Sequence, residues 1–70
     1  MVLTAVLTAD SDGGYVAFNP ETGTTTQGDT VAEAMINLKE ATELYLEEFP
    51  LEVASPALMT TFEVVDAQAA

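Results

Sequence analysis

Residues 2–9 have the two-residue period of a β-strand. Leu3, Ala5 and Leu7 fall on one side, and Val2, Thr4, Val6 and Thr8 on the other. Neither side is plainly polar. Asp10-Ser11-Asp12-Gly13-Gly14 then supplies a turn, and Tyr15-Val16-Ala17-Phe18 reads as a second strand closing a hairpin. Pro20-Glu21-Thr22-Gly23 breaks the run. Thr24-Thr25-Thr26-Gln27 is β-branched and reads as a third strand, ended by Gly28-Asp29.

The period then changes. Val31, Ala34, Met35, Leu38, Ala41, Tyr45, Leu46 and Phe49 recur at helical spacing and make one apolar stripe. Thr30-Val31-Ala32-Glu33 has capping-box spacing. It predicts that the Thr30 hydroxyl accepts from the Glu33 amide while the Glu33 carboxylate reaches back to the Thr30 amide. Pro50 stops the helix, so the prediction runs over 31–49. Glu33, Glu40, Glu43 and Glu47 cluster on the opposite face, with Ile36 and Leu44 beside them, off the main stripe.

After a connection over 51–56, residues 58–65 read as a fourth strand. Phe62 and Val64 point one way, and Thr61, Glu63 and Val65 the other. The expectation is therefore one α+β domain over residues 1–66: a three-stranded antiparallel meander, one helix and a fourth strand, β-β-β-α-β. Residues 67–70 are expected to be a frayed tail. One helix covers one face of a sheet, so the other face, partly apolar through the first strand, is expected to meet solvent or another chain.

Composition narrows the chemistry. The 70 residues hold no Cys and no His, which excludes thiolate and imidazole catalysis and zinc sites built from those ligands. Asp10-Ser11-Asp12 starts like a calcium loop, but Tyr15 stands where such a loop needs Gly, and the turn reading prevails. Glu63 is the one clear acid inside a strand, so a metal-dependent nuclease built on Asp10 or Glu63 is the last of three functional readings. No catalytic residue, metal or cofactor is expected.

Twelve acidic residues face one cation, Lys39, for a formal net charge of −11. Such a surface repels nucleic acid and anionic lipid and attracts basic proteins. The apolar content, 49% of residues, sets the chain apart from disordered acidic segments. No apolar run reaches the ~20 residues of a membrane span. Met1-Val2-Leu3-Thr4 lacks the basic start of a secretory signal, so a cytoplasmic location is expected. A chain this short without disulfides is expected to gain stability by association, as a homodimer or homotetramer.

Taken in order, several pieces resemble the HicB antitoxin family over roughly residues 1–65, most densely over 13–48. They are Gly14-Tyr15-Val16-Ala17-Phe18, Pro20-Glu21, Gln27-Gly28-Asp29-Thr30, Glu33-Ala34, Asn37-Leu38-Lys39-Glu40-Ala41 and Glu43-Leu44-Tyr45-Leu46-Glu47-Glu48. The resemblance implies a partial ribonuclease H-like fold. It also implies a role: HicB-type proteins neutralise HicA-type toxins, small basic ribonucleases that cut messenger RNA. It gives no reason to expect nuclease activity in this chain.

Two departures are visible. Nothing after Val65 is expected to form the DNA-binding segment that many HicB proteins carry, so direct nucleic-acid binding is not expected. The Leu-Pro-Gly-Cys stretch that often follows the Pro-acidic pair is replaced by Thr22-Gly23-Thr24. The sequence thus points to a stand-alone HicB-like binding module whose partner surface comprises Glu33, Ile36, Glu40, Glu43, Leu44 and Glu47. An orphan oligomeric scaffold without a toxin is the alternative.

Overall fold

The computed structural model describes residues 1–52 and 55–66. Its elements are β1 (Val6–Ala9), β2 (Tyr15–Asn19), β3 (Thr24–Gly28) and α1 (Val31–Glu48). The strands form one antiparallel sheet in the order β1-β2-β3. Val6 pairs with Phe18, Leu7 with Ala17, and Ala17 in turn with Thr26. This is the expected α+β meander under one helix. The first strand is shorter than the alternation suggested, because residues 1–5 lie outside the paired ladder.

The β1–β2 turn is built as its residues dictate. The Asp12 amide donates to the Asp10 carboxylate (3.1 Å), the Gly13 amide to the Asp10 carbonyl (3.0 Å) and the Asp10 amide to the Gly14 carbonyl (3.0 Å). Gly14, at φ +81°, also sits where a Cβ would lie 2.7 Å from the Gly28 carbonyl oxygen, so only glycine fits.

The helix starts at its cap. Thr30 Oγ1 accepts from the Glu33 amide at 3.0 Å. The Glu33 carboxylate reaches back one residue further than expected, accepting from the Asp29 amide at 3.2 Å. Two side chains strap α1 to β3: Thr26 Oγ1 donates to the Ala34 carbonyl (3.0 Å) and Asn37 Nδ2 to the Gln27 carbonyl (2.8 Å).

Small residues let the helix sit very close. Ala17 and Ala34 are fully buried, Leu38 nearly so, and Ala5 and Leu7 pack at the side. Of the predicted apolar stripe, Val31, Met35, Tyr45 and Phe49 remain substantially exposed, while Thr42 is buried. The helix therefore presses its Ala34-Leu38-Thr42 line onto β2 and β3 and leaves the flanks of the stripe open. Tyr45 and Phe49 stack on each other, ring centres 5.1 Å apart.

The fourth strand expected over 58–65 is not formed. The segment is exposed throughout and belongs to no sheet, and Phe62 and Val64 are 84% and 74% exposed. A strand exists only through its ladder. The alternation of 58–65 is legible, but in this chain the segment pairs with neither edge of the sheet. The tail expected over 67–70 lies outside the described residues, as does part of the 51–56 connection. No helix among the described residues is long and apolar enough to cross a membrane.

Candidate functional site

At 100° per residue, Glu33, Ile36, Glu40, Glu43, Leu44 and Glu47 fall within an arc of about 100° on α1. The structure places all six on its exposed, outer side. Ile36 is 66% and Leu44 58% exposed, so two aliphatic side chains stand among carboxylates rather than in a core. Glu33 also serves the cap, through its bond from the Asp29 amide. Glu43 stands apart in a second respect: it also borders a groove on the flank of the helix.

That groove, about 480 Å³, runs between α1 and residues 1–5. Leu3 and Ala5 form one wall, and Met35, Leu38 and Leu46 the other. Lys39 and Glu43 stand in its lining with opposite charge. Thr42 lines it too. Its Oγ1 is buried and has no hydrogen-bond partner among the described residues, a deficit worth about 1–3 kcal/mol in a closed interior. No local signal marks this, since Thr42 lies between residues of the apolar stripe.

Beneath the groove, at the break between β2 and β3, lies a polar cluster. Asn19, 1% exposed, donates from Nδ2 to the Thr4 carbonyl (2.7 Å) and to Glu21 Oε1 (2.9 Å). Its Oδ1 accepts from the Thr22 amide and hydroxyl. Glu21 also accepts from the Thr4 amide (2.6 Å) and, through Oε2, from the Ala57 amide (3.0 Å). The Thr4 amide above all holds the Glu21 carboxyl below its ordinary 4.5; desolvation, the next largest influence, works the other way, and the Ala57 amide and the Thr4 and Asn19 side chains add to the lowering. The signal was Asn19-Pro20-Glu21-Thr22-Gly23, a turn whose side chains bond their own backbone. Its long-range role, pinning residues 4 and 57 together, has no local signature.

The sheet face away from α1 carries Val6, Val16 and Phe18 beside Thr8, Thr25 and Gln27, as the pairing register requires. It is partly apolar, as expected from the first strand. Among the described residues, no three acidic side chains come together as a metal site would need. Asp10 is engaged in the β1–β2 turn, and Glu63 lies on the extended 58–65 segment.

Three antiparallel strands beneath one helix with an acidic outer face define a small α+β domain. Over 47 residues the chain is 51% identical to UPF0150 protein ssl0738 of Synechocystis sp., covering 66% of this chain and 65% of that protein. It is 48% identical over 50 residues to UPF0150 protein ssr1765 of the same organism, covering 70% and 63%. It is also 48% identical over 48 residues to UPF0150 protein Ta0767 of Thermoplasma acidophilum, covering 67% and 70%. The chain belongs to the UPF0150 family. The matched region spans just under two thirds of the two Synechocystis relatives. No family model and no solved structure matches the chain.

Proposed function

We propose that this chain is a HicB-like antitoxin module: a cytoplasmic, non-enzymatic protein that neutralises a small basic HicA-type mRNA-cleaving toxin by direct contact. The observation that carries this reading is the outer face of α1, where exposed Ile36 and Leu44 stand among Glu40, Glu43 and Glu47. Aliphatic anchors ringed by carboxylates suit a basic partner. The charge speeds encounter, and the anchors slow release once water is excluded. A bound acidic domain would also cover the surface on which a basic nuclease holds RNA. In this reading residues 58–65, unpaired in the single chain, supply the fourth strand of a partial ribonuclease H-like fold once they find an edge to pair with.

The test is recovery of partners on the full chain at low and moderate salt. A small basic protein whose RNA cleavage stops when this chain is added supports the proposal. With that protein in hand, replacing Glu40, Glu43 and Glu47 together by Gln should slow association and flatten its dependence on salt. An unchanged association rate would remove the helix face from the account. A basic partner whose cleavage continues in the complex would end the antitoxin reading.

A further inference from the structure

We infer that residues 58–65 of one copy add as a strand along β1 of a second copy, laying Leu58, Phe62 and Val64 in the groove beside α1. This inference does not depend on the antitoxin reading, because it uses the groove flank and the free sheet edge rather than the outer helix face.

The first support is the area this chain leaves uncovered. It exposes 5579 Å², whereas a compact monomer of its 7.4 kDa mass exposes about 4,200 Å². The excess, about 1,400 Å², exceeds the ~800 Å² that each partner buries in a standard stable interface. The segment contributes to it, with Leu58 at 101% and Val65 at 97% exposure.

The segment is also uncovered along its whole length. The Ala57 amide is held by Thr4 Oγ1 and Glu21 Oε2, both at 3.0 Å, and beyond that anchor the chain runs out exposed. Each copy therefore presents an extended apolar arm, and each presents a place for one.

That place has the required chemistry. β1 is an edge strand, and the half-buried Leu3, Ala5 and Leu7 face the helix side without being covered by it. Thr42, a residue 7% exposed, lines the same groove; its buried hydroxyl has no hydrogen-bond partner among the described residues, and a backbone arriving there can supply one. The even-numbered residues of the arm (Leu58, Thr60, Phe62, Val64) form its more apolar side, and Glu63 faces the other way. Exchange between two copies is reciprocal, so a two-fold dimer satisfies both arms and both grooves and then closes.

Two copies carry −11 each, so the dimer forms against its own charge and should tighten as salt rises. Binding to a basic protein should weaken over the same range. The two readings can therefore fail separately.

The experiment is sedimentation velocity and light scattering on the full chain and on its Phe62→Glu/Val64→Glu variant, across a salt series. Wild type should have twice the 7.4 kDa chain mass at micromolar concentration. The variant should raise the dissociation constant by about a hundredfold or more. Its helix signal in circular dichroism should be unchanged, because both side chains are exposed in the single chain. A monomeric wild type would overturn the inference, whether or not amide exchange shows residues 60–65 protected on the chain's own edge. So would a variant that dimerises as tightly as wild type.

Discussion

Gly28→Ala should be the most damaging single-methyl change available in this chain. A Cβ at Gly28 would lie 2.4 Å from the Ala34 nitrogen and 2.9 Å from both the Ala34 Cα and the Glu33 carbonyl carbon. Those are backbone atoms of the first helical turns and cannot rotate aside. Restoring ordinary contact lifts the start of α1 by about 1 Å, and a close-packed interface does not absorb such a shift freely. Overpacking costs about 1–3 kcal/mol. The same movement stretches the Thr26–Ala34 and Asn37–Gln27 bonds, each worth about 1 kcal/mol. The expected loss is about 2–5 kcal/mol, against a total of roughly 4–10 kcal/mol for a domain of this length.

The assay is urea unfolding followed by circular dichroism at fixed protein concentration, since association would shift the midpoint. Gly13→Ala is the control. Gly13 has φ +97° but nothing within 4 Å of an added Cβ, so its cost is conformational alone, about 1–2 kcal/mol. Ala34→Gly should not rescue Gly28→Ala, because the collision is with the main chain. A Gly28→Ala midpoint falling no further than that of Gly13→Ala would refute the close-approach account.

Two further changes test the cap and the polar cluster. Thr30→Ala removes the acceptor for the Glu33 amide and should cost about 1 kcal/mol in urea unfolding, with most of it retained by Thr30→Ser. Glu21 has a folded-state pKa below its ordinary 4.5, so its contribution is present above that value and is lost as pH falls through the lowered one. The Thr4 and Ala57 amide resonances should therefore titrate together below pH 4.5, and Glu21→Gln should abolish that joint transition.

The elements that depend on local chemistry were legible in the sequence. The Asp10-to-Gly14 turn, the β-branched third strand and the Thr30 cap are each fixed by neighbours a few residues away. The six residues proposed for the partner surface also fell where helical spacing put them. What could not be read was which part of the apolar stripe the sheet would cover. Burial of Thr42 in place of Met35 or Tyr45 follows from the Gly28–Ala34 approach, a contact between separate elements. The Asn19–Glu21 cluster was missed for the same kind of reason: its partners at Thr4 and Ala57 are distant in sequence.

The fourth strand is a different case. Its alternation is as clear as that of the first, yet strand character belongs to a pair of segments and not to one. Among the described residues the buried apolar core is only Ala17, Ala34 and Leu38, and side chains able to thicken it (Leu58, Phe62 and Val64) stand outside it. Like charge on the acidic surface opposes indiscriminate contact between exposed apolar arms. It also sorts the two associations proposed for this chain. Contact through the outer face of α1 draws on that charge and should fade with salt, whereas exchange of the arms works against it and should strengthen. A salt series that moved both in the same direction would show that charge is not what separates them.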